Sequence, residues 1–494
     1  MSSRPARQPR RPASRQSTSK PQAVLRRAGW PETYNDVVFI GLLVAVAWVP
    51  LPFGSNLPNF WMLNAALFGG LLVLFELGVL VSSGRRPVAM RRLWLPLLLL
   101  GGIAAWILAQ LSTWMPGAWE SSFWTLARDV LVQMPDAAPV EGRISADPDN
   151  GVMGLIRLLT CAAAFYLALQ LCRDRWRADL FALMLVLIAV GYALYGIVQL
   201  LAFPNTLVWI EKTAYLASVT STFVNRNSYA TYAGVGLVMT FGLLAELVQR
   251  SSFGAEVPWT YRVGALVDTF VRRGMPIFVA ILVIGIALLW TGSRAGIVAS
   301  FAGAIVFVIL AATLGKRRLI ALLLGALAIL GIAGGIVAYG ELFVQRLTND
   351  GGSETRWYVV RAAFQAALDV PWTGFGYGSF DRVYAVYRDF GQDFILHWDK
   401  AHNTYVELLF ELGIPAFVAF IILGGALLLQ VVRNVYGRNM PSMLSLSALA
   451  ASVVVFVHAF VDFSLQMQAI AITYWAILGA GLAQSWSRRI DTSI

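Results

Sequence analysis

Apolar runs of about 20 residues, the length a helix needs to cross a bilayer's hydrocarbon core, recur along nearly the whole chain. Twelve candidates lie near 37–54, 61–82, 94–112, 153–172, 180–202, 228–248, 275–291, 295–315, 319–339, 404–432, 441–461 and 468–485. In lipid a backbone must satisfy its own hydrogen bonds, and runs this long do so as helices. The pattern predicts an all-α integral membrane protein of about twelve transmembrane helices. Of the 494 residues, 58% are hydrophobic and only 13% charged. Soluble chains are about half apolar and a quarter charged, so disorder, coiled coil and nucleic-acid binding are excluded as classes for the chain as a whole.

The formal charge of +11 matters through its distribution. With both termini cytoplasmic, the N-terminal tail, the even-to-odd loops and the C-terminal tail hold 26 of the 38 Lys and Arg residues. Every short cytoplasmic loop is positive, as the positive-inside bias requires. A missed helix would invert each later loop, so the tally supports twelve spans. Residues 1–35 are basic and almost without aromatics, which predicts a disordered cytoplasmic tail; residues 36–494 form the membrane domain. Its two long connections, 113–152 and 340–403, fall on the outer side, and the larger is expected to pack over the bundle through amphipathic helix. Cys161 and Cys172 lie in one apolar stretch and give neither a disulfide framework nor zinc spacing.

Polar residues collect at outward helix ends, where ionisable groups near hydrocarbon are functional candidates. Asn225, Arg226 and Asn227 open span 6. Arg294 sits in the tight turn between spans 7 and 8. Arg356 and Arg361 lie on an amphipathic stretch of the outer loop. His402 and Asn403 open span 10, with Glu407 and Glu411 following Asn403 at i+4 and i+8. His458 and Asp462, four apart, fall on one face at the outer end of span 11. Plainer roles also fit: interfacial snorkelling for Arg226, carbonyl capping for Arg294, a solvated helix face for Arg356 or Arg361, an orienting pair for His458 and Asp462. The Gly374–Gly378 run lacks the Lys-Ser/Thr of a phosphate loop and reads as a turn. The three histidines, His397, His402 and His458, all fall outside, without metal-ligand spacing. Arginine forks suit phosphate oxygens, and histidine is the usual base near neutral pH. A lipid diphosphate at the outer leaflet with a hydroxyl nucleophile would use this inventory.

Four segments then carry a resemblance. Thr222-Phe223-x-Asn225-x-Asn227-x-x-Ala230, Ser293-Arg294-Ala295-Gly296, Arg356 followed by Pro371-x-x-Gly374-x-Gly376-x-Gly378-x-Phe380, and His402-Asn403 followed by Leu412-Gly413 resemble, in order and placement, the motifs of the bacterial O-antigen ligase and polysaccharide polymerase family of inner-membrane glycosyltransferases. The resemblance covers residues 215–430. It implies an undecaprenyl-diphosphate-linked glycan donor, transferred en bloc at the periplasmic face without metal or other cofactor and with inversion. The acceptor is another lipid-linked glycan in polymerases, the slightly favoured branch, and lipid A-core in ligases; a polymerase also implies a chain-length regulator as partner. By position, Arg226, Arg294 and Arg356 would bind the diphosphate, with Arg361 beside them and His402 as base. Asn225, Asn227, Asn403, Glu407, His458 and Asp462 would support the site. The competing class is a twelve-helix secondary transporter, whose site would lie near the bilayer midplane between repeats.

Overall fold

The computed structural model describes residues 30–82, 84, 86–134, 140–250, 260–261, 264, 268–314, 351–388, 397–438 and 441–486. The tail before residue 30, the expected span at 319–339, and residues 340–350 and 389–396 of the large loop lie outside the described residues.

The apolar runs become helices: α1 (Trp30–Trp48), α2 (Pro58–Val81), α3 (Trp94–Leu111), α4 (Ser122–Leu131), α5 (Pro148–Leu171), α6 (Arg175–Ala202), α7 (Arg226–Arg250), α8 (Met275–Trp290), α9 (Arg294–Leu314), α10 (Gly351–Ala367), α11 (Phe380–Tyr387), α12 (Thr404–Tyr436), α13 (Met443–His458) and α14 (Gln468–Ser485). The strand pairing among the described residues is one short hairpin, β1 (Thr206–Leu207) with β2 (Ile210–Glu211), antiparallel. Asp147 and Asp174 start α5 and α6 as N-caps, and Pro58 and Pro148 occupy first-turn positions, where a missing N–H costs no helix bond. α1 begins inside the segment expected to belong to the tail.

Among the described residues eight helical segments are long and apolar enough to cross a membrane, α3 and α8 together with the helical turns that lead into them, as Met90–Leu111 and Phe270–Trp290, and the chain is an all-α, multi-pass membrane protein. Of the four remaining expected spans, 319–339 lies outside the described residues, and the other three differ for physical reasons. α1 carries Glu32 and Asp36 in its first turns, and α13 has 16 residues. α14 ends in Gln468, Gln484 and Ser485 and is buried along its length. It is the axis of the bundle, packed on α5 and α13. A helix enclosed by protein does not need a lipid-compatible surface, so polar ends are tolerated there. The lipid-facing helices expose large apolar side chains instead, such as Val37 and Val44 on α1, Leu77 on α2 and Val298 and Ile309 on α9.

At one face of the bundle the two long connections fold onto each other. Val359 and Ala363 of α10 with Phe380 and Tyr384 of α11 bury against Phe375, Ala401 and Phe410, forming a second apolar core over the start of α12. The described part of the large loop therefore packs, as expected. α12 is broken at Gly413 (φ 73°, ψ 168°), just before Pro415. Those angles belong essentially to glycine, and a Cβ there would meet the Trp372 carbonyl at 2.7 Å. Loop backbone and α3 side chains fill the break: Ile414 N–H donates to the Pro371 carbonyl (2.7 Å), and Trp106 Nε1 and Gln110 Nε2 of α3 donate to the carbonyls of Leu412 and Glu411. The glycine run 374–378 is a turn held by α12. Gly376 N–H donates to the Glu411 carbonyl (3.0 Å) and Phe380 N–H to Glu411 Oε1 (3.3 Å).

Candidate active site

His402 immediately precedes α12. Asn403 is the N-cap, its side chain accepting from Tyr405 and Val406 N–H, both at 3.1 Å. On the other side, Ala401 N–H donates to Glu407 Oε2 at 2.8 Å. Fixed between these anchors, His402 takes φ +53°, a left-handed conformation uncommon outside glycine. Such backbone persists only where its surroundings over-determine it, often at functional sites. Its ring stands edge-on to Trp398 and Phe463, with 13% of the side chain exposed. The buried Nδ1 lies 3.8 Å from Asp462 Oδ1.

Asp462 is fully buried and gathers the site. Its Oδ1 also accepts from Asn227 Nδ2 (3.4 Å), its Oδ2 from the Ser464 hydroxyl, and its backbone carbonyl from Thr404 Oγ1 (3.2 Å). Burial opposes ionisation of this carboxyl, but the neighbouring His402, His458 and Ser464 outweigh it and hold it below the usual carboxylate range. His458 and Asp462 do not form the simple i, i+4 helix pair that their spacing suggests. α13 stops at His458 because the incoming α12 captures the chain beyond it, Thr404 N–H donating to the Ala459 carbonyl at 2.9 Å. Ser464 bridges the two residues instead: its hydroxyl lies 3.4 Å from His458 Nδ1 and donates to Asp462. Thr231 Oγ1, one helical turn after Asn227, lies 2.5 Å from the same His458 nitrogen.

The arginines arrive on separate elements. Arg226 is the first residue of α7; its guanidinium lies 5.2 Å over the Tyr215 ring, with Nη1 3.5 Å from the Ser218 hydroxyl. Asn225 Oδ1 accepts from Asn227 N–H at 2.7 Å and shapes that helix start. Arg294 is the first residue of α9, after a turn in which Ser293 N–H donates to Thr291 Oγ1 and Gly296 N–H to Ser293 Oγ. The two helix starts adjoin. Val219 N–H donates to the Trp290 carbonyl (3.0 Å), and a Cβ on Gly296 would fall 2.5 Å from Ala230 Cβ. Half-buried Arg356, on the packed face of α10, lies close enough for its charge to act on His458. Arg361, five residues further, is on the exposed face. Glu407 and Glu411 serve the loop backbone: Glu407 accepts from Ala401 and lies 3.8 Å from Lys400, and Glu411 accepts from Phe380. His397 is outside the cluster, paired with Asp381 at 2.9 Å. Among the described residues no three of His, Cys, Asp and Glu are grouped to hold a metal ion.

Four further residues belong to this neighbourhood without having been read from the sequence. Thr231 and Ser464 contact His458, and neither a lone threonine in an apolar helix nor a serine in a turn carries a signal. Arg157 does carry one, a charge inside the apolar run of α5. It donates to the Gln466 carbonyl, two residues from Ser464, and lies 4.4 Å over the Trp61 ring. Lys212, in the connection after β2, is only 4% exposed and donates to the Ser218 carbonyl at 2.9 Å. Burial pulls its pKa down to about 8.

These features define a polytopic helical membrane protein with a buried His–Asp–His cluster and arginine-bearing helix starts at one face. Residues 278–421 match the family model described as O-antigen ligase, and that stretch is similar to the O-antigen ligase family. The matched stretch contains Arg294, Arg356, Arg361 and His402; Asn225–Asn227, His458 and Asp462 come from outside it. No curated protein matches the chain.

Proposed function

We propose that the chain is an inner-membrane glycosyltransferase that moves a glycan from undecaprenyl diphosphate to an acceptor sugar at the periplasmic face. The observation that carries this reading is the convergence on buried Asp462 of His402, Asn227 and the His458–Ser464 pair, three separate parts of the chain. Asp462 faces Nδ1 of His402, which favours a proton on that nitrogen and leaves Nε2 as the acceptor. The acceptor hydroxyl oxygen attacks the anomeric carbon as the bond to the diphosphate oxygen breaks. The hydroxyl proton passes to His402 Nε2, and the electron pair of the broken bond leaves on the diphosphate. Attack opposite the leaving group inverts the anomeric centre. Arg226, Arg294 and Arg356 meet the charge growing on the diphosphate, an interaction stronger in the transition state than in the ground state. The positive ends of α7 and α9 add to it. Asn225, Asn227 and Asn403 hold the helix starts, Glu407 the His402 backbone, and Arg361 lies beyond them on the loop helix.

The acceptor in this reading is a second lipid-linked glycan, as in a polymerase, and lipid A-core is the alternative. The break in α12 resembles the broken helices of carriers, yet loop backbone from 371–376 fills it. That filling favours the enzyme over the transporter. The test is glycan transfer in proteoliposomes, with either acceptor and with or without chelator. Arg294→Lys should reduce transfer severely although charge is kept, because the fork geometry is lost. His402→Ala should lower turnover while donor binding stays nearly intact. Full activity in both variants, or loss of activity on metal removal, refutes the assignment.

A further inference from the structure

The first long connection holds a cleft apart from the cluster around Asp462, with a cavity volume of about 310 Å³. We propose that it binds one neutral sugar ring of the glycan, outside the point of transfer; the proposal rests on the glycan-transfer reading. Two walls form it, residues 113–128 and 140–144, joined by Ser121 N–H donating to the Arg143 carbonyl at 2.9 Å. Its charged lining is two carboxylates, Glu120 and Glu141, and two guanidinium groups, Arg128 and Arg143. Glu120 pairs with Arg128, while Arg143 Nε is buried without a hydrogen-bond partner.

That lining selects a ligand class. Carboxylates only accept and guanidinium groups only donate. An anion would face two carboxylates and a cation two arginines. Ligand hydroxyls each donate and accept, so a polyol satisfies both kinds of group with no net charge to balance. Met115 and Ile144 supply apolar surface for the C–H face of a pyranose. The volume corresponds to roughly ten waters of liquid, the scale of one sugar ring. The cleft is also built to hold Glu120 in place: a Cβ on Gly142 would fall 1.9 Å from its carboxyl carbon. It is coupled to the transfer site through backbone. Ser145 N–H donates to the Gln110 carbonyl, Ala146 N–H to the Phe375 carbonyl, and Phe375 N–H to the Phe410 carbonyl on the first turns of α12. A sugar held here would fix the glycan relative to His402.

The experiment is saturation-transfer NMR on the full chain in lipid nanodiscs. Galactose, N-acetylglucosamine and methyl glucoside are the neutral probes, with glucuronate and methyl phosphate as charged ones. At least one neutral sugar should show saturable transfer that falls at least fivefold in Glu120→Gln and Arg143→Gln and persists in Arg294→Lys. Gly142→Ala removes no polar group but displaces the Glu120 carboxyl from its place, since the new Cβ would overlap it, and should reduce the signal too. It decides the matter if the other variants do not fold. No saturation transfer to any neutral sugar, stronger saturation transfer to methyl phosphate, or signals unchanged in well-folded variants would overturn the site. Should the chain prove unable to transfer glycan while these variants still abolish sugar binding, the site stands and the transfer reading falls.

Discussion

Asp462→Asn is nearly isosteric, so its effect isolates charge. In the wild type the carboxylate lies 3.8 Å from His402 Nδ1, fully buried. In the proposed transfer, His402 takes the acceptor proton and becomes an imidazolium. At that separation the attraction is about 4 kcal/mol at an effective dielectric of about 20. Expressed in full in the transition state, its loss lowers turnover about a thousandfold, within the range for a general base. Single-turnover transfer in proteoliposomes, with donor binding measured separately, should show kcat falling and the donor Kd nearly constant. The variant also separates by pH. The folded carboxyl binds a proton less readily than the unfolded one, so it contributes stability above the unfolded pKa of about 3.9. That contribution is lost as pH falls through the lower folded value. The gap in thermal midpoint between wild type and variant should therefore be open at neutral pH and narrow in acid. His402→Ala combined with Asp462→Asn should be little worse than His402→Ala alone, because the carboxylate acts through the ring. A variant within threefold of wild type, or additive losses in the double mutant, refutes the arrangement.

Lys212→Met should raise the thermal midpoint at neutral pH. The folded amine, near pKa 8, gives up its proton more readily than the unfolded one near 10.4, so wild type gains stability as pH rises between these values and the advantage of the variant shrinks. Gly413→Ala should destabilise the chain by about 2 kcal/mol or more, since the glycine-only backbone must move and a methyl must displace the Trp372 carbonyl; equal stability in thermal unfolding would contradict the break described for α12. Arg157→Met keeps the apolar stem but loses the Gln466 hydrogen bond and the Trp61 contact, a destabilisation of about 2 kcal/mol or more. It should also lower kcat by loosening the turn that carries Ser464, and an unchanged kcat at reduced stability would make Arg157 purely structural.

The helices were legible because lipid leaves an apolar run of this length one economical way to satisfy its backbone, and within the described residues a helix lies at each expected place. What composition alone does not distinguish is a helix facing lipid from one facing protein. α14 reads as a span like the others, yet it is enclosed, and only its polar ends at Gln468, Gln484 and Ser485 mark that difference. Candidate site residues could be singled out where residue type restricts use: an arginine or histidine at hydrocarbon depth demands a partner. The partners themselves were hidden. Asn227 and Asp462 are 235 positions apart, and no local pattern encodes that they meet. Local periodicity even misdirects at His458, since the spacing to Asp462 fits a helix that the arrival of Thr404 ends early. Glu407 and Glu411 show the converse. Their stripe suggests carboxylates aimed at arginines, but the loop backbone presents N–H groups first, and a buried donor without an acceptor costs about as much as the pairing would gain. The loop thus takes those carboxylates, and Asp462, on the facing turn, is left to hold His402.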